Sequence, residues 1–324
     1  MLAARPTLAR DLLIAAIALA TLLALPYVWP SRMINDLVIR VSAFALFATS
    51  LNLLVGYTGM VSFGHGMFFG FGAYAFGLSM QRLGVSIPIA FVITVASSAL
   101  LAVVVGAISI RLKDIYFSFI TLAFQMLLYS LVIAWVPLTG GDQGLMGGIP
   151  RPPFLGIDLS VEHHRYVFSV VLLVLGLLAM RQIVESPFGY TLRMIRDNTE
   201  RASFLGINVF RAKLTAFVIA GVFGSMGGMV MALFVSGAYP EFVNWTMSGE
   251  GIFMVMLGGV TTFLGPAAGA LILSLLNDVI TRGTEHHGLF LGCIILLFAL
   301  GFRKGVTDFI ADWFRVRREA GARG

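Results

Sequence analysis

The run LLIAAIALATLLALPYVW, Leu12 to Trp29, decides the class of fold. A helix rising ~1.5 Å per residue over this stretch crosses nearly the whole ~30 Å hydrocarbon core of a bilayer. Arg5 and Arg10 precede it, as basic residues precede a secretory signal, but no small-x-small cleavage site follows before Pro26 and Pro30. The run therefore reads as an uncleaved first membrane helix. Similar runs recur to the end of the chain. The reading is an all-α integral membrane protein, a polytopic bundle of about ten transmembrane segments.

Composition agrees. Mean hydropathy is +0.93, and only 12% of residues are charged, against about 25% in a soluble domain. Candidate spans cover Asp11 to Trp29, Leu37 to Val55, Val61 to Met80, Ser86 to Ile110, Ile115 to Val136, Tyr166 to Met180, Leu214 to Ser236, Glu250 to Asp278 and His287 to Phe302. The net charge of +6 gathers in particular loops, a pattern that reports orientation and not nucleic-acid binding. Arg181, Arg193, Arg196, Arg201, Arg211 and Lys213 put the loop 181–213 on the cytoplasmic side, as Arg303, Lys304, Arg315, Arg317, Arg318 and Arg323 do for the tail. Counting spans backward places the N-terminus there too. The organisation expected is one permease domain over residues 1–310 with a cytoplasmic insert at 185–212 and a basic tail at 303–324. Cys293 is the only cysteine, so neither a disulfide framework nor a Cys-rich metal site is expected.

The parity of the count exposes a break. Glu250 falls outside and the tail inside, so Glu250 to Asp278 must cross an even number of times. Thr261-Thr262-Phe263-Leu264-Gly265-Pro266 is the place for it, because proline lacks an N–H and disfavours helix in the residue before it. Two short halves follow, as thin crossings or a re-entrant pair.

Two segments carry small residues on one helical face. They are Ser62, Gly66, Gly70, Ala73 and Gly77, then Gly221, Gly224, Gly228 and Ala232. Gly66 with Gly70, and Gly224 with Gly228, are expected to be helix-packing positions. Polar residues inside apolar spans are candidates for a translocation path: Asn52, Ser62, His65, Thr121 and Gln125. For each, the competing reading is interhelical hydrogen bonding. Asp142, in a Gly-rich loop, and Glu250, at the outer end of the broken span, are candidates for docking on the outside; for Glu250 the alternative is a solvated carboxylate favoured at a helix start. The pairs His163-His164 and His286-His287 do not share a helical face, and no metal site is expected.

The insert is the most informative polar stretch. Ser186 is an N-cap, Pro187 suits the first helical position, and Phe188, Leu192, Ile195, Thr199 and Ala202 form one stripe. Arg193, Arg196, Asp197 and Glu200 fall on the other face, and Gly206 is a stop. A single amphipathic helix of this kind lies on the bilayer surface or docks on a soluble motor.

Leu51-Asn52-Leu53-Leu54-Val55-Gly56-Tyr57-Thr58-Gly59, with Val61-Ser62-Phe63-Gly64-His65 and Phe68-Phe69-Gly70-Phe71-Gly72-Ala73-Tyr74, resembles the signature of LivM-type permeases. Further matches follow in the family's order: Thr139-Gly140-Gly141, Ser186-Pro187-Phe188-Gly189, Ile195-Arg196-Asp197-Asn198, Leu257-Gly258-Gly259 and Gly265-Pro266. The resemblance implies a subunit of a branched-chain amino acid importer in a bacterial inner membrane. It also implies as partners ABC ATPase subunits, a second, paralogous permease and an extracytoplasmic solute-binding protein. In such a system Ser186, Pro187, Phe188, Gly189, Arg193, Arg196, Asp197, Glu200 and Gly206 belong to the loop that engages the ATPases. Urea or short amides are the alternative cargo.

No cofactor is expected in this chain. Lys113, Lys213 and Lys304 are its only lysines, and none stands in a phosphate-binding loop, so ATP and Mg belong to partner subunits. An ion-coupled secondary transporter would need carboxylates deep in the spans, and the acids sit at span ends or in loops. An intramembrane enzyme would need a convergent catalytic set, for which Ser62 with His65 is the sole candidate.

Overall fold

The computed structural model describes residues 8–145, 147–151 and 158–283, with 289, 292, 293, 296 and 305–309. Apart from those positions, the span expected at His287 to Phe302, the pair His286-His287 and the tail beyond Phe309 lie outside the described residues. All regular structure among the described residues is helical: α1 Leu8–Val28, α2 Arg32–Thr58, α3 Gly66–Leu83, α4 Ile87–Ser109, α5 Asp114–Ala134, α6 Val136–Thr139, α7 Glu162–Val184, α8 Pro187–Asp197, α9 Thr199–Phe204, α10 Val209–Val235, α11 Trp245–Gly258 and α12 Gly265–Gly283. Six of these, α1, α2, α4, α5, α7 and α10, are long and apolar enough to cross a membrane.

The two 27-residue helices α2 and α10 cross at the centre, and α3, α4, α7, α11 and α12 pack around them. Glycine makes the closest approaches. A Cβ on Gly228 of α10 would overlap the Phe69 carbonyl of α3, and one on Gly72 of α3 would overlap the Ser225 carbonyl of α10. Backbone rests on backbone here, as packing without a hydrophobic driving force favours. Helix α1 is peripheral and packs along α7, tied by the Tyr166 hydroxyl donating to the Leu22 carbonyl at 2.6 Å. Its buried Asp11 lies 3.8 Å from Arg181.

Local chemistry sets the helix ends. Gly59, at φ 73°, caps α2 by returning its N–H to the Leu54 carbonyl, a left-handed conformation that glycine adopts without strain. The chain then runs irregularly through 60–65 before α3 begins. A Cβ on Gly64 would overlap the Thr121 carbonyl, so this stretch lies against α5.

The break expected near Thr261 to Pro266 is present. Helix α11 ends at Gly258, residues 259–264 turn, and α12 starts at Gly265. The two halves pack glycine on glycine, with Gly258 against Gly265 and Gly269 against the Met254 carbonyl. The turn is satisfied from far along the chain. The Asp308 carboxylate accepts the N–H groups of Thr261 at 3.1 Å and Thr262 at 3.0 Å, and the Thr307 hydroxyl bonds both Thr262 and the Gly258 carbonyl. Asn52 of α2 donates to Val260. The C-terminal ends of α2 and α7, helices α8 and α9, this turn and residues 305–309 therefore share one end of the bundle.

Candidate functional site

The insert starts as its sequence dictates. The Ser186 hydroxyl accepts from the Gly189 N–H at 3.4 Å and donates to the Ile183 carbonyl at 2.6 Å, with Pro187 opening α8. Gly189 is required because a Cβ there would overlap the Val184 carbonyl. Leu192 and Ile195 are buried, and Leu192 joins Leu53, Leu54 and Tyr57 of α2 in one apolar cluster.

Two expectations are corrected. The insert is two helices, because Asn198 is extended (φ −161°, ψ 104°) and its side chain caps α9 by accepting from the Arg201 N–H at 2.8 Å. Ala202 stays buried, but Thr199 is exposed. Nor are Arg193 and Arg196 free side chains on that face: both reach back to the bundle, although 41% of the Arg196 side chain stays exposed. Arg193 donates to the Val184 carbonyl at 3.1 Å and lies over the rings of Tyr57, 5.3 Å away, and Tyr190, 5.0 Å away. Arg196 donates to the Gly56 carbonyl at 2.6 Å, at the C-terminal end of α2 where carbonyls lack helical partners. The outward surface carries Asp197 and Glu200 with part of Arg196, beside exposed Tyr190, Met194, Phe204 and Leu205, with Phe204 91% exposed. Gly206 follows α9 at φ 81°, with open space around it.

A polar knot lies near the middle of the bundle. Gln125 of α5 donates to the carbonyls of Val243 at 3.0 Å and Asn244 at 2.7 Å, and accepts from the Ser248 hydroxyl at 2.6 Å. That hydroxyl in turn accepts the Gly66 N–H at 2.7 Å. One carboxamide thus joins α5, the start of α3, the start of α11 and the stretch before it. His65 bonds the Ser50 hydroxyl at 2.8 Å and not Ser62, stacking on Phe47 with 5.4 Å between ring centres. Asn52, Ser62, His65, Thr121 and Gln125 are all buried within this chain. Sequence reasoning missed Ser50 and Phe47, which partner the histidine; the only signal was their place on α2, the helix before the motif.

Of the four glycines expected to pack helices, Gly228 meets α3, while Gly224 lies against His65 and Ser50. Gly66 faces Gln125, Met247 and Ser248, and Gly70 faces Val243 and Phe242. The α3 stripe therefore accommodates the stretch leading into α11.

At the other end, Asp142 is exposed in a single turn at Gly141–Gln143. Leu145 donates to Ala238 at 2.9 Å and Ile149 to Ser236 at 3.2 Å, so this loop lies on the chain leaving α10. The exposed Asp158 carboxyl is held below its ordinary range by the Ser160 N–H, 2.8 Å away. Glu250 requires a further correction. It does not open a span at the outer rim: α11 starts five residues earlier, capped by Asn244, and the stretch 237–244 has already carried the chain inward.

Among the described residues no three His, Cys, Asp or Glu side chains gather as a metal site would need. A cavity of about 390 Å³ opens at the insert end beside Gly59 and Val61, with Asp114 and Lys213 in its wall.

Known proteins give the same outline. A family model described as the permease component of branched-chain amino acid transport systems matches residues 33–300. The high-affinity branched-chain amino acid transport system permease protein LivM of Escherichia coli is 26% identical over 93% of this chain and 77% of its own length. LivH of the same organism, a permease protein of the same system, is 21% identical over 82% of this chain and 91% of its own. The nucleoside ABC transporter permease protein NupC of Lactococcus lactis is 28% identical over 36% of this chain and 37% of its own.

Proposed function

The chain belongs to the permease family of branched-chain amino acid transport systems, and from that we propose that it is one membrane subunit of an ATP-driven importer for branched-chain amino acids. Its partners in this reading are ATPase subunits, a second and different permease, and an extracytoplasmic binding protein. The observation that carries it is similarity to LivM along 93% of the chain. The choice of amino acids over nucleosides rests on the same extent, since the nucleoside permease matches 36%.

The coupling step follows from the insert. ATPase subunits on the cytoplasmic side dock on Tyr190, Met194, Phe204 and Leu205, which this chain leaves exposed. Helix α8 does not float free of the bundle, because Arg196 holds Gly56 and its side chain lies against Gly59. Movement of α8 is thereby passed to the end of α2 and to residues 60–65, and through Asn52 to the turn after α11. ATP-driven closure shifts the population between two arrangements of these elements, and the cargo undergoes no chemistry.

The test is uptake of labelled leucine into proteoliposomes holding this chain with its ATPases, second permease and binding protein. Uptake that needs ATP and all the partners is expected. Gradient-driven uptake by this chain alone, or transport of guanosine in place of leucine, would overturn the reading.

A further inference from the structure

Glu250 stands at an unusual depth. Gln125 is the twelfth of the 21 residues of α5, and Ser248 is hydrogen-bonded to it, so Ser248 is level with the middle of that helix. Glu250 follows two residues later, ~3 Å further along α11. From there eight more residues of α11 lead to the turn at the insert end. The carboxylate is therefore close to the mid-depth of the bundle.

Its direction is equally defined. Ser248 and Gly251 hold the buried side of α11, against Gln125 and against Phe47 with Leu51. Glu250 is on the exposed side, flanked by Thr246 one turn before and Phe253 one turn after. No hydrogen bond or ion pair joins its carboxylate to another described residue. Beside it, a Cβ on Gly249 would meet nothing within 4 Å, so the backbone next to the carboxylate borders open space. A charged group at this depth is expensive in hydrocarbon, and such groups face a water-filled path or a partner and mark ion or substrate pathways.

We propose that Glu250 faces the water-filled path along the exposed side of α11 and holds the ammonium group of the transported amino acid there. The site deepens the functional reading above and rests on it. A primary ammonium supplies the charge that Glu250 lacks within this chain. Gly249 leaves room for it next to the backbone, and the Phe253 ring on the same face offers a wall to both a cation and an aliphatic side chain. The competing occupant is an arginine or lysine of the second permease.

The experiment uses the reconstituted four-component importer. Glu250→Gln keeps the shape and removes the charge. Leucine uptake is expected to fall at least tenfold, while basal ATPase activity and co-purification of the second permease stay unchanged. In a Cys293→Ser background, Glu250→Cys is expected to react with a cationic, membrane-impermeant thiosulfonate applied to the purified complex, and leucine with ATP is expected to slow that reaction. Normal uptake by Glu250→Gln overturns the site, and so does loss of the second permease on purification, which would assign the carboxylate to the partner. An unreactive Glu250→Cys overturns it as well. If the wild-type complex takes up no leucine, the functional reading fails and this ligand with it; wild-type uptake with an indifferent variant removes the site alone.

Discussion

The Arg196 guanidinium donates to the Gly56 carbonyl at 2.6 Å, joining the surface insert to the last turn of the central helix α2. A charge-assisted hydrogen bond of this kind contributes about 1.5–3 kcal/mol. The same arginine touches its neighbour Asp197 at 3.1 Å, an exposed pair of little energetic consequence.

Arg196→Met is therefore expected to separate ATP hydrolysis from transport. ATPase subunits still bind, because Tyr190, Met194, Phe204 and Leu205 are unchanged, but leucine uptake per ATP hydrolysed falls severalfold. Simultaneous measurement of both rates in proteoliposomes checks this. An unchanged ratio would mean that the bond to Gly56 transmits nothing.

Phe204→Asp addresses the opposite side of the insert. With 91% of the residue exposed, the substitution removes almost no internal packing, and the melting temperature of the purified chain is expected to move by less than about 2 °C. Co-purification of the ATPase subunits is expected to be lost. Retention of the ATPases would place their docking surface elsewhere.

Gln125→Leu removes a side chain that makes two donations and one acceptance within the bundle. The Val243 carbonyl loses its partner and the Ser248 hydroxyl its acceptor, at about 1–3 kcal/mol for each group left unpaired, while the Asn244 carbonyl keeps the Met247 N–H. A marked fall in thermal stability in detergent is expected. Faster proteolysis within 237–244, the stretch this residue anchors, is expected with it.

Two glycines predict opposite outcomes. Gly228→Ala places a methyl group on the Phe69 carbonyl and forces α3 and α10 apart, so folded protein recovered by size exclusion should drop sharply. Gly249→Ala meets nothing within 4 Å and should leave that recovery unchanged or raise it, since alanine favours helix by up to about 1 kcal/mol. Equal behaviour of the two would contradict the close crossing of α3 and α10.

Hydropathy made most of the architecture legible, because each long apolar run has to satisfy its backbone as a helix. What it does not carry is depth. The stretch 237–250 reads as facing outward because it has acids and no base, yet the carbonyls of Val243 and Asn244 are bound by Gln125 near mid-bundle. Glu250 was misplaced for that reason. The insert read as one helix because Thr199 and Ala202 keep the period of Leu192 and Ile195 past the extended residue Asn198. The stripe of Gly66 and Gly70 was visible as a pattern, but its neighbours are set by how the chain enters α11. Arg193 and Arg196 fall on the polar face by periodicity, but periodicity does not show that their guanidinium groups reach carbonyls at the ends of other helices.

The carboxylate that completes the α11–α12 turn comes from Asp308, while the N–H groups it satisfies belong to Thr261 and Thr262. During synthesis the turn emerges first, and its cap follows only after some 46 more residues, the difference between 308 and 262, have been translated. Through that interval the N–H groups of Thr261 and Thr262 lack this acceptor, while Asn52 on Val260 and Arg181 over the Phe263 ring hold the turn from α2 and α7. A chain interrupted before residue 308 would carry every residue of the hairpin yet lack this carboxylate, so maturation of this half of the permease waits on Asp308.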